Sequence, residues 1–141
     1  NVFHYTAAIS ACEKGGKWQL ALAVLDAMVG ARVMPNVRSC SAAISACEKG
    51  GRWQLGLDML GRMAEMRVTP NVVSYNSAIS ACGKGGRWQL ALGILDTMRG
   101  LQITPTVISC SACISACEKG GRWQRALAIL GTMAALRITP N

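Results

Sequence analysis

The stretch that decides the fold is Ile9-Ser10-Ala11-Cys12-Glu13-Lys14-Gly15-Gly16, because it returns at Ile44, at Ile79 with Gly83 in place of the glutamate, and at Ile114. The interval is 35 residues each time. Moving outward, Trp18-Gln19, Trp53-Gln54, Trp88-Gln89 and Trp123-Gln124 follow each copy at one fixed offset, then Met28, Met63, Met98 and Met133, then Pro35, Pro70, Pro105 and Pro140. Repetition at a period of 20 to 50 residues is the signature of a stacked-repeat architecture. The chain therefore divides into units 2–36, 37–71, 72–106 and 107–141, forming a single array over 1–141. Asn1 holds the place of Asn36, Asn71 and Asn141, as if it ended a preceding unit.

Within a unit, two helical patterns flank the glycine pair. Tyr5, Ala8, Ile9 and Cys12 are spaced three and four apart and share one helix face; Trp18, Ala21, Leu22, Leu25 and Met28 do the same in the second segment. Gly15 and Gly16 are expected to supply positive φ at the turn, and the proline to stop the second helix. Asn36, Asn71 and Thr106 can then cap the next first helix by accepting a backbone N–H. Two short helices cannot bury their apolar stripes alone, so neighbouring units must share a core. The predicted fold is all-α: antiparallel helix pairs stacked into a right-handed α-solenoid, with contacts confined to adjacent units.

With 51% apolar residues the chain has material for a core without disulfides or metal. Fifteen Lys and Arg against seven Asp and Glu give +8, which favours a polyanionic partner. No apolar run approaches the roughly 20 residues of a membrane span, and no leader pattern precedes the first unit. The chain is read as soluble. Seven cysteines, four of them equivalent copies at Cys12, Cys47, Cys82 and Cys117, read as small buried residues of a reducing compartment. Cys110, Cys113 and Cys117 lack a nearby histidine, so neither metal nor cofactor is expected. His4 is the single histidine, without a nucleophile or repeated carboxylate pair beside it, and no enzymatic activity or small-molecule substrate is expected of these units.

The unit length, Ala21-Leu22 through Met28, the closing Pro35-Asn36 and the opening Val72-Val73-Ser74-Tyr75-Asn76 together resemble the pentatricopeptide repeat over the whole chain. The tetratricopeptide repeat, its nearest rival, has a period of about 34 residues. The resemblance implies single-stranded RNA binding along the first helices, one base per repeat, in RNA processing, editing or stability in the mitochondrion or chloroplast. It implies that the fifth and last residues of a unit read the base: Thr6 with Asn36, Ser41 with Asn71, Asn76 with Thr106, and Ser111 with Asn141. A hydroxyl with a carboxamide suits adenine, and Asn76 resembles the pyrimidine-reading type, so the implied target is about 5′-A-A-pyrimidine-A-3′. Phe3, Arg38, Val73 and Ile108 take the base-packing position, where Arg38 departs from the apolar pattern but can stack through its planar guanidinium. Lys14, Lys49, Lys84 and Lys119 take the phosphate-contacting position, which for four phosphates gives a salt slope of about −3.

Each feature also has a structural explanation. The asparagines after proline can be caps alone, Thr6, Ser41 and Ser111 solvated helix positions, and the lysines partners of a helix C-terminal dipole. Lys17, Arg52, Arg87 and Arg122 double the basic positions at the same turn and are expected to complete a basic stripe. The four tryptophans lie in the apolar register and read as packing residues. Two other functions stay open on the residues alone: a peptide- or protein-binding helical scaffold, and a basic surface that coats RNA without selectivity.

Overall fold

The computed structural model describes residues 1–135, and these form eight helices of 13 residues: α1 (Val2–Lys14), α2 (Trp18–Gly30), α3 (Val37–Lys49), α4 (Trp53–Glu65), α5 (Val72–Lys84), α6 (Trp88–Gly100), α7 (Val107–Lys119) and α8 (Trp123–Ala135). Odd-numbered helices open each unit and even-numbered ones close it. Their beginnings are set by side chains. The Asn36 carboxamide accepts from the Ser39 N–H at 2.9 Å while the Ser39 hydroxyl accepts from the Asn36 N–H at 2.9 Å, a reciprocal capping box. Asn71 with Ser74 and Thr106 with Ser109 repeat it. Each cap satisfies backbone donors that a helix start leaves orphaned, a contribution of about 1 kcal/mol.

The helix ends correct two expectations. Only the second glycine of each pair is left-handed: Gly16, Gly51, Gly86 and Gly121 have φ of 68–72°, whereas Gly15 has φ −84°. The left-handed residue lets Lys17 N–H reach back to the Cys12 carbonyl at 2.8 Å, closing the helix. Nor does proline end the second helices. They stop several residues earlier, where Arg32, Arg67 and Gln102 adopt φ near 60° and Val33 N–H returns to the Met28 carbonyl at 3.0 Å. The proline follows a turn already made.

Packing explains the curvature. Each odd helix packs along the next, α1 on α3, α3 on α5 and α5 on α7. Each even helix packs on the odd helices of its own and the following unit, while the backbones of the even helices stay apart and meet only through side chains, as where Arg62 Nη2 donates to Asp26 Oδ1 at 3.2 Å. A row in continuous contact beside a row that is splayed must bend, with the contacting row inside. The odd helices therefore line the concave side. Between the rows lies one continuous core: Ile9, Ile44 and Ile79 from the odd helices against Leu25, Met28, Met59, Met63 and Met98 from the even ones, all at or near zero exposure. Burying each such side chain contributes roughly 1.5–3 kcal/mol.

Trp18, Trp53 and Trp88 are packing residues at the seams between units, whereas Trp123 is exposed. A Cβ built on Gly50 would lie 2.4 Å from Trp18 Cδ1, and Gly85 and Gly120 stand in the same relation to Trp53 and Trp88. Gly50, Gly85 and Gly120 are thus needed for close approach of the preceding indole. Arg52, Arg87 and Arg122 then cover Trp18, Trp53 and Trp88 at 4.9–5.1 Å from the ring centroids. These arginines sit at the seams, each over the indole of the preceding unit. Among the described residues no helix is long and apolar enough to cross a membrane.

Candidate nucleic-acid interface

Three open clefts follow one another along the odd-helix row. The first is lined by Phe3, Thr6, Ser10, Lys14 and Arg38, the second by Arg38, Ser41, Ser45, Asn71 and Val73, the third by Val73, Asn76, Ser77 and Ile108. Each is flanked by two consecutive expected base-packing positions and holds the fifth residue of a unit between them, with Asn71 joining Ser41 in the second. Their volumes, about 410, 280 and 210 Å³, fall at or below the low end of the ~300–1,000 Å³ typical of small-molecule sites. Phe3, Val73 and Ile108 are 71%, 53% and 60% exposed, an arrangement that leaves apolar surface in water on the concave side. Exposed apolar groups rimmed by polar ones mark interaction surfaces.

The reading positions lie deeper. Thr6 and Ser41 are 9% and 7% exposed and form cleft floors, Asn76 is half-buried, and Ser111 is exposed on α7. The Thr6 hydroxyl is buried with no hydrogen-bond partner. Ser41 Oγ lies 2.7 Å from Ser74 Oγ. Asn76 donates from Nδ2 to Thr106 Oγ1 at 3.2 Å and accepts on Oδ1 from the Ser109 hydroxyl. Asn36 and Asn71 cap α3 and α5 while remaining exposed, Thr106 caps α7 half-buried, and Asn71 also lines the second cleft. The capping and site positions coincide in one residue. Asn141, the expected companion of Ser111, lies outside the described residues.

The lysines are not equivalent. Lys49 pairs with Glu13 and Lys84 with Glu48, across neighbouring units, and those glutamates line the second and third clefts. The residue that would pair with Lys119 by the same rule is Gly83, and Lys119 has no ion-pair partner among the described residues. Lys14 lines the first cleft. Sequence reasoning singled out neither these carboxylates nor Ser74 and Ser109. The available signal was the serine three residues after each cap.

The cysteines are free thiols, and among the described residues no His, Cys, Asp or Glu cluster could hold a metal. Burial pushes the Cys47 and Cys82 thiols up to about 11 and Cys113 up to about 12. A thiol so shifted stays protonated and is a poor nucleophile.

Family models match across this geometry: the pentatricopeptide repeat domain over residues 1–52 and 31–85, the PPR repeat family over 70–119, and the PPR repeat over 108–138. The chain belongs to the pentatricopeptide repeat family. No curated protein sequence matches it. Among solved structures, the pentatricopeptide repeat protein PPR10 in complex with an 18-nt psaJ RNA element superposes with a TM-score of 0.89 at 22% identity, over 100% of this chain and 21% of that one. The PPR domain of Arabidopsis thaliana protein-only RNase P 1 in complex with tRNA gives 0.85 at 17% identity, covering 94% and 70%. Nuclear proteinaceous RNase P 2 from A. thaliana gives 0.86 at 14%, covering 100% and 32%. At these identities the likeness establishes the α-solenoid fold. The chain spans about a fifth of PPR10 and about a third of RNase P 2.

Proposed function

We propose that this pentatricopeptide array binds single-stranded RNA along the odd-helix row, one base per unit, with a preference near 5′-A-A-pyrimidine-A-3′. The observation that carries this is the alternation along one concave row: Phe3, Arg38, Val73 and Ile108 as walls, with Thr6, Ser41 and Asn76 between them. Walls of this kind stack on base faces, and polar floors read base edges. Thr6 with Asn36, Ser41 with Asn71, Asn76 with Thr106 and Ser111 with Asn141 read the four bases. Two structural relatives were crystallised with RNA, and the charge of +8 suits that partner. Lys14 and Lys119 carry the phosphate contacts. Lys49 and Lys84, held by glutamates, contribute less, so the salt slope is about −1.4 rather than −3. The array acts as the recognition segment of a protein that processes, edits or protects a mitochondrial or chloroplast transcript, any catalysis lying outside these units.

Fluorescence anisotropy at low salt with labelled RNAs tests this. A strand carrying the A-A-pyrimidine-A core is expected to bind about tenfold tighter than its permutations, each mismatched base costing on the order of 1 kcal/mol. Equal affinity for poly-A and poly-U would reduce the array to an unselective basic surface. Binding to peptide but not to RNA would make it a protein scaffold.

A further inference from the structure

The serines of the capping boxes of α5 and α7, Ser74 and Ser109, do a second job across the unit boundary. Ser74 is fully buried and forms no part of the second cleft's lining. Its hydroxyl accepts from the Asn71 N–H at 3.2 Å and lies 3.1 Å from Asn71 Oδ1, which can only accept, and 2.7 Å from Ser41 Oγ, a contact in which either hydroxyl could donate. A hydroxyl has one proton and two lone pairs. With its proton on Asn71, Ser74 can only accept from Ser41. In that arrangement Ser41 points its own proton inward at Ser74, and what it shows the cleft is lone pairs. Asn71 Oδ1 is occupied by the Ser74 N–H and hydroxyl, so what Asn71 shows is its amide N–H₂.

The next boundary uses the same position with opposite sign. Ser109 is also fully buried, and its proton goes into Asn76 Oδ1. Thr106 Oγ1 receives Asn76 Nδ2 and the Ser109 N–H, and its own proton lies toward Ser109 Oγ at 3.4 Å. Its capacity is filled. Asn76 is left with an unused Nδ2 proton, a donor. At the first boundary the Ser39 hydroxyl donates to the Asn36 carbonyl at 2.9 Å instead, and Thr6 is left without a partner.

We propose that Ser74 is a positioning residue that fixes the proton polarity of the second cleft, making it an acceptor beside a donor and so a site for a base with an exocyclic amine next to a ring-nitrogen acceptor, as on adenine. This rests on the single-stranded RNA function above. A base with an oxo group at that place would set lone pairs against lone pairs, and the buried Ser41 oxygen could not turn to meet it.

Base analogues at the nucleotide facing the second unit test the polarity without altering the protein. Adenosine is expected to bind best, purine riboside, which lacks the amine, several-fold more weakly, and inosine, with an oxo group, weakest, about tenfold below adenosine. Inosine binding as well as purine riboside would overturn the proposal. Ser74→Ala releases the Ser41 proton, so inosine should rise to within about threefold of adenosine at that nucleotide, with discrimination facing the first unit unchanged. Ser74→Thr, which keeps a hydroxyl, should restore the original order. An unchanged adenosine-to-inosine ratio in Ser74→Ala sinks the assignment; should that variant not fold, the analogue order in the unaltered chain decides alone. A flat response at every nucleotide would instead overturn the RNA function itself, and this inference with it.

Discussion

The seams between units and the clefts along the odd helices occupy the same four repeats, yet one is copied and the other varies. Three seams place tryptophan, glycine and arginine within about 0.4 Å of the same spacings. Three clefts present three different chemistries: an unpartnered threonine, a serine locked to a serine, and an asparagine held at both ends. Sameness marks what stacking requires of every unit. Difference marks where the units are free to diverge, and it falls on the row suited to reading a strand.

The largest break in this contrast should come from the seam. Gly85→Ala drives a methyl into the Trp53 ring and is expected to lower stability by about 1–3 kcal/mol, while Gly15→Ala, which meets no indole, should leave the melting temperature nearly unchanged. Equal effects would show that the indole contact does not explain the glycine. In the clefts, Asn76→Ser is expected to leave folding nearly intact but move the third base preference from pyrimidine toward adenine by about tenfold, roughly 1.4 kcal/mol; unchanged selectivity in permuted oligonucleotides would reject the pairing of Asn76 with that base. A subtler change concerns the lysines. Glu48→Gln should release Lys84 and steepen the salt slope of RNA binding by about 0.7, and Gly83→Glu should engage Lys119 and flatten it by a similar amount. These exposed pairs are worth little to stability, on the order of 0–1 kcal/mol, so melting should barely respond.

A last effect lies in the shared core and shows only at alkaline pH. The raised thiols of Cys47, Cys82 and Cys113 are protonated in both folded and unfolded chains below about pH 8.5. As pH rises beyond that, the unfolded chain gains by ionising first, and stability should decline between roughly pH 9 and 11. Replacing Cys82 by Ala should blunt the decline in a thermal melt series.

The period of 35 was enough to read the helices, their caps and the core, because each depends on residues within one unit or on a pattern every unit shares. The proline and the first glycine were misjudged for one reason: each was assigned a backbone task that a neighbour performs, Arg32 for the one and Gly16 for the other. The lateral bonds were illegible for a different reason. Lys49 meets Glu13 at a separation of 36 residues and Ser41 meets Ser74 at 33. Those offsets depend on how far one helix slides along the next, and a repeat length says nothing about that slide.

Because the even helices meet one another only through side chains such as Arg62 and Asp26, the outer rim of the array is held together less tightly than the inner row. Stiffness resides in the inner row, and the spacing of that row is what any strand lying along it must match. A bound polymer would thus brace the member that already governs the pitch, tightening or relaxing the whole coil like a cord drawn through the inner edge of a fan.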